Sequence, residues 1–179
     1  MFLRTLLLVM ACLCLPAAAA AAAAPAPVMV EPIRYAPPVA EAFVERYGER
    51  ERPYLTRTLS ERIGAALSRA GAKLGSGGVT LETEVLYLQP NQPTFKELSD
   101  NPALSPNSFR RGGVRLRGRY VDAEGRSLAT FDYSNDFFDR VIPNTSLWDD
   151  ALQGFDGYAR RAAKVYEERV AVAAESPPA

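Results

Sequence analysis

An unbroken run of eight alanines, residues 17–24, divides this 179-residue chain into two unequal parts. Both cysteines lie before the run, and beyond it the chain holds neither Cys nor His. The longer part therefore has no disulfide, no Cys/His metal site, no Cys nucleophile and no histidine general base. It must fold by packing alone. At about 155 residues it is long enough to bury roughly two-thirds of its unfolded surface as one domain.

The shorter part reads as an address. Met1 and Arg4 give a positive start, residues 6–15 are almost wholly apolar, Pro16 breaks them, and small residues follow. This is the three-part pattern of a secretory signal peptide over residues 1–24, with an apolar stretch well short of the ~20 residues that span a bilayer as a helix. Val9-Met10-Ala11-Cys12 also resembles a bacterial lipobox, which makes Cys12 the candidate lipid attachment point. The expected location is the periplasm, with outer-membrane anchoring if Cys12 is acylated. Removing the leader takes Arg4 with it, so 20 basic residues face 21 acidic ones and the body carries a formal charge of about −1.

Along the body, residues 25–38 hold five prolines and the apolar Val28-Met29-Val30, which reads either as a linker or as a segment joining a sheet edge. Residues 39–171 read as a single domain and 172–179 as a Pro-rich tail expected to fray. Val39, Phe43 and Tyr47 give short helical spacing before Gly48. Leu55, Leu59, Ile63, Ala66 and Ala70 predict a helix over about residues 54–70, stopped by Gly71. Residues 79–88 predict a strand with Leu81, Thr83, Val85 and Tyr87 on one side. A nineteen-residue stretch, 89–107, carries four prolines and one helical turn near Phe95. Its length exceeds ordinary connections and hints at a recognition surface.

A hairpin follows. Val114, Leu116, Gly118 and Tyr120 face one way and Arg115, Arg117 and Arg119 the other, with a turn at Asp122-Ala123-Glu124-Gly125 and a return strand over residues 128–133. The last element is a helix over about residues 147–171, in which Gly154 and Gly157 imply either a bend or a close contact with the sheet. The pattern predicts an α/β fold of the α+β kind: a small, mainly antiparallel sheet with helices packed on one face.

Three groups are candidates for chemistry. Asp132, Asp136, Asp139, Asp149, Asp150 and Asp156 form an acid-rich approach to the last helix. Their best calcium-loop register fails, because Phe137 stands where Gly is needed and Pro143 where Glu is needed. Arg111, Arg115, Arg117 and Arg119, with Phe95 on the long loop, are the candidate partner-binding residues, suited to an anionic wall or membrane component or to a protein. Nucleic acid is disfavoured by export and by the slightly negative body. Ser60, Ser68 and Ser146 lack a histidine and a G-x-S-x-G setting. No cofactor is expected.

Four stretches carry a resemblance: Tyr47-Gly48-Glu49-Arg50-Glu51, residues 79–88, Val121-Asp122-Ala123-Glu124-Gly125-Arg126-Ser127-Leu128, and Trp148 with Phe155, Ala159 and Ala162. Together they resemble bacterial exported proteins and lipoproteins of unknown function, with a domain similar to those of penicillin-binding-protein activators and curli-secretion lipoproteins. The resemblance implies a non-enzymatic envelope role and brings no catalytic residue. The expectation is thus a cell-envelope protein that binds an envelope protein or an anionic component. The competing classes are a carboxylate-dependent glycan-acting enzyme and a structural subunit of an envelope assembly.

Overall fold

The computed structural model describes residues 26–135 and 146–172. The leader, Cys12, Asp136, Asp139 and the tail beyond Val172 lie outside the described residues. The chain runs β1 (Val28–Val30), β2 (Arg34–Tyr35), α1 (Pro37–Ala42) continued by a π-helical turn (Phe43–Tyr47), and α2 (Glu51–Arg69). There follow β3 (Val79–Gln89), α3 (Phe95–Asp100), β4 (Gly113–Val121), β5 (Ser127–Ser134), and α4 (Asp149–Val165) continued by a second π-helical turn (Tyr166–Ala171).

β3 organises the sheet. β4 pairs with it antiparallel, and β5 pairs antiparallel with β4. On its other side β1 and then β2 lie parallel to it, with Val28 opposite Val79 and Arg34 opposite Glu84. The sheet is therefore mainly antiparallel, as expected, and parallel pairing is confined to the short edge segments. Val28-Met29-Val30 sits on that edge. The Asp122–Gly125 turn joins β4 to β5 where the sequence places it, closed by the Gly125 N–H donating to Asp122 O at 3.0 Å.

One face of the sheet is covered by helices. Leu81, Thr83 and Val85 of β3, Val114, Leu116 and Tyr120 of β4, and Ala129 and Phe131 of β5 are buried there. The alternating residues Arg115, Arg117, Arg119, Thr130 and Asp132 are exposed on the other face. α2 buries Leu55, Leu59, Ile63, Ala66 and Leu67, the 3–4 spacing of one stripe. It begins at Glu51, earlier than residue 54, because Pro53 falls in the first turn, where the missing N–H has no helical partner to lose.

α4 lies almost directly on the sheet. A Cβ on Gly154 would strike Val114 and Asn135, and one on Gly157 would strike Tyr133. The two glycines serve close helix-to-sheet contact. The Tyr158 hydroxyl lies 2.9 Å from Thr83 Oγ1, and the Tyr120 hydroxyl donates to Ala162 O at 3.0 Å. Burial pushes both phenols far above their ordinary pKa, so they stay neutral donors.

One strand assignment is corrected. The β3–β4 register slips between Val85 and Tyr87, so Val85 faces Leu116 while Tyr87 faces Arg115. This bulge reverses the alternation. Tyr87 turns to the open face, away from Leu81, Thr83 and Val85, and Leu88 takes the buried side.

Candidate interaction site

The stretch between β3 and β4 is held at three levels. At its base, Asp150 Oδ2 accepts from Asn91 Nδ2 at 2.6 Å and from the Gly112 N–H at 3.0 Å, while the Asp150 N–H donates to Asn91 Oδ1 at 3.0 Å. Asn135 completes the knot: its Oδ1 accepts from the Val114 N–H at 2.8 Å and its Nδ2 donates to Asp150 O. All three side chains are buried. They tie both ends of the loop to the first turn of α4.

In the middle, the Arg110 guanidinium donates to Pro90 O (3.1 Å), Gln92 O (3.2 Å) and Glu97 Oε2 (2.5 Å). At the top, Thr94 and Glu97 form a capping box. Thr94 Oγ1 accepts from the Glu97 N–H at 3.2 Å, and the Thr94 N–H donates to Glu97 Oε2 at 2.9 Å. The Thr94 hydroxyl also donates to Arg46 O at 2.7 Å, which fixes α3 against the Phe43–Tyr47 turn. Burial works against the Glu97 charge. The Arg110 hydrogen bond, the Thr94 N–H and the charges of Arg110 and Arg46 outweigh it and hold the carboxyl below its ordinary pKa.

This scaffold presents Phe95, 81% exposed, at the first position of α3. The Tyr47 hydroxyl, within electrostatic reach of Glu97, Arg110 and Tyr87, donates to Leu88 O at 2.8 Å. The bulge-turned Tyr87 lies beside this end of the sheet, with the Arg115 guanidinium 5.2 Å from its ring centre. Arg111 is exposed on the approach to β4.

The other two candidate arginines lie on the open face beside carboxylates. Arg119 donates to both oxygens of Glu82 (2.7 and 3.1 Å), which also pairs with Arg34 at 3.3 Å. Arg117 donates to Asp132 at 2.9 Å. The hydrogen bond from Arg119, with its charge and that of Arg34, lowers the Glu82 pKa against the effect of burial. Arginine and carboxylate alternate across this face, so its positive groups are balanced locally.

The described acids of the candidate acidic cluster fall on separate places. Asp132 pairs on the open face, Asp149 accepts from the Ser146 N–H (2.7 Å), Asp150 is in the buried knot, and Asp156 pairs with Arg62 (2.9 Å). Among the described residues no group of three or more His, Cys, Asp or Glu is placed to hold a metal ion. Of the candidate serines, Ser146 bonds Asp149 through its hydroxyl, Ser60 lines a groove beside β1, and Ser68 is exposed. Sequence reasoning missed the Asn91–Asp150 knot, which joins residues far apart in the chain. It also passed over the capping box, although Thr94-x-x-Glu97 carries its signature.

No family model matches the sequence, and no curated protein matches it. Solved structures do. A protein of family DUF330 from Xanthomonas campestris superposes with a TM-score of 0.51 at 12% identity, covering 81% of this chain and 87% of that one. A minor lipoprotein from Acinetobacter baumannii gives a TM-score of 0.36 at 10% identity, covering 78% and 91%. At such identities the first likeness is one of fold. Neither structure is described as a penicillin-binding-protein activator or a curli-secretion domain, so that resemblance rests on the sequence stretches alone.

Proposed function

We propose that the protein is an exported, non-catalytic domain of the cell envelope that docks another envelope protein through the loop end of its sheet, with Phe95 as the anchor. The observation that carries this reading is the exposure of Phe95 next to a capping box that is tied to Arg46 and Arg110. A large apolar side chain held rigidly in water loses little conformational freedom on binding and gains full desolvation. Arg111, Arg115 and Tyr87 border the same end and supply residue types enriched at interface centres.

The β1 edge and Phe95 lie at opposite ends of β3. Pro27 O accepts from the Val79 N–H beside the start of β3, and Phe95 lies beyond its other end. Eleven strand residues separate the two, roughly 35 Å.

A photo-crosslinking residue at position 95, introduced into the full-length protein in cells, tests the reading. The expected result is one dominant protein adduct, absent when the same residue replaces exposed Thr130 on the open face. Adducts with lipid or glycan alone, or equal yields from the two positions, would overturn it.

A further inference from the structure

A second surface lies at the opposite end of the sheet, on the β1 edge. The Val28 N–H donates to Lys73 O at 2.7 Å, and Val28 O accepts from the Gly75 N–H at 3.0 Å, so residues 73–75 form a short parallel bridge on the outer side of β1. Pro27 O and the Glu31 N–H bond to β3 instead, at 2.9 and 3.0 Å. Backbone groups of successive strand residues alternate in direction. The N–H and C=O of Val30 therefore point outward, as those of Val28 do. The bridging segment stops at Gly75, and among the described residues no strand pairs with β1 beyond it.

Beside Val30 runs an open groove of about 520 Å³ between β1 and α2. Met29, Val30, Pro32 and Leu74 supply its apolar lining, and Gly64 leaves the helix wall without a side chain. Glu31 is the one charged residue lining it, and its carboxylate lies 3.9 Å from Arg34. Met29 and Leu74 are 38% and 49% exposed at the rim.

We infer that this groove receives an extended, uncharged, apolar segment of a partner protein, added to the sheet edge next to β1. The occupant is a strand because the groove offers an outward backbone donor and acceptor in the direction that residues 73–75 already use on Val28. It is apolar because the walls are. A second β1 is a poor fit, since residues 73–75 of each copy occupy the Val28 half of the edge. An acyl chain would leave the Val30 backbone pair unused. Strand addition of this kind takes affinity from main-chain bonds and selectivity from the flanking pockets.

Val30→Pro tests the inference. It removes the outward N–H and leaves the bonds to β3 in place, a position where an edge strand accepts proline. Photo-crosslinkers at Met29 and Leu74 in the full-length protein in cells are expected to map to one contiguous segment of another protein, with yield reduced about tenfold by Val30→Pro at unchanged thermal stability. Gly64→Leu, which fills the groove from the helix side, is expected to give the same loss and replaces the proline variant if that variant melts early. Adducts to lipid, adducts to this chain itself, no adduct, or a yield indifferent to both variants would overturn it.

Discussion

The Tyr133 hydroxyl occupies the space that a side chain on Gly157 would need. The bare backbone of α4 at this point lets the helix settle against β5. In an exposed helix interior, replacing glycine by alanine gains about 1 kcal/mol. Here the methyl would run into the Tyr133 ring, and overpacking of that kind costs about 1–3 kcal/mol. Gly157→Ala is therefore expected to destabilise the protein in urea denaturation. Tyr133→Ala clears the space, so the double variant should be no less stable than Tyr133→Ala alone. A fully additive loss would show that the contact does not set the helix position.

The Asp150 carboxylate gives a second prediction. Its Oδ2 is the acceptor for two buried donors, Asn91 Nδ2 and the Gly112 N–H. Asp150→Ala leaves both without that acceptor, at about 1–3 kcal/mol each. The expected loss is about 2–6 kcal/mol, with faster hydrogen exchange at the Gly112 amide. Neighbouring Asp149, which accepts from the Ser146 N–H near the surface, should cost only about 1 kcal/mol when changed to Ala. Equal losses at the two positions would contradict the knot.

These contrasts mark what a sequence can show. The stripe of Leu55, Leu59 and Ile63, the arginine alternation of β4 and the Asp122–Gly125 turn are local patterns, and the structure holds all of them. Gly154 and Gly157 were ambiguous because a glycine permits both a bend and a close approach. Only the position of Tyr133 and Asn135 decides between them. The candidate site was legible in part. Phe95 was a candidate through the length of its loop and the helical turn near it, but the Arg110–Glu97 and Asn91–Asp150 contacts that make its position fixed pair residues 13 and 59 apart.

Acid should loosen the loop. The Glu97 carboxyl titrates below its ordinary value of 4.5 in the folded state. Its stabilising contribution is thus complete above that value and is lost as pH falls through the lowered folded value. Glu97→Gln should be less stable than the parent at pH 7, and the gap should close as pH falls below the ordinary carboxyl value and through the lowered folded one. Thermal melts across that range check the sign. A gap that widens on acidification would mean the charge is not what Arg110 and Thr94 hold.

The bulge in β3 makes the last prediction. Uninterrupted alternation would bury Tyr87 together with Val85, whereas the slipped register exposes Tyr87 and buries Leu88 to 3% of its surface. Leu88→Ala should then cost about 2–5 kcal/mol, the range for truncating a core leucine. Tyr87→Ala should stay within about 1 kcal/mol, since it loses a half-exposed ring and one cation–π contact with Arg115. Denaturation midpoints of the two variants rank them directly. If Tyr87→Ala proves the more damaging, the strand keeps its alternation in solution and Arg115 does not share a face with an aromatic partner. Deleting Leu86 sharpens the comparison. It removes the extra residue, sets Tyr87 directly after Val85 in regular pairing opposite Arg115, and should leave the Tyr87 ring exposed and Leu88 buried, with little change in Tyr87 fluorescence.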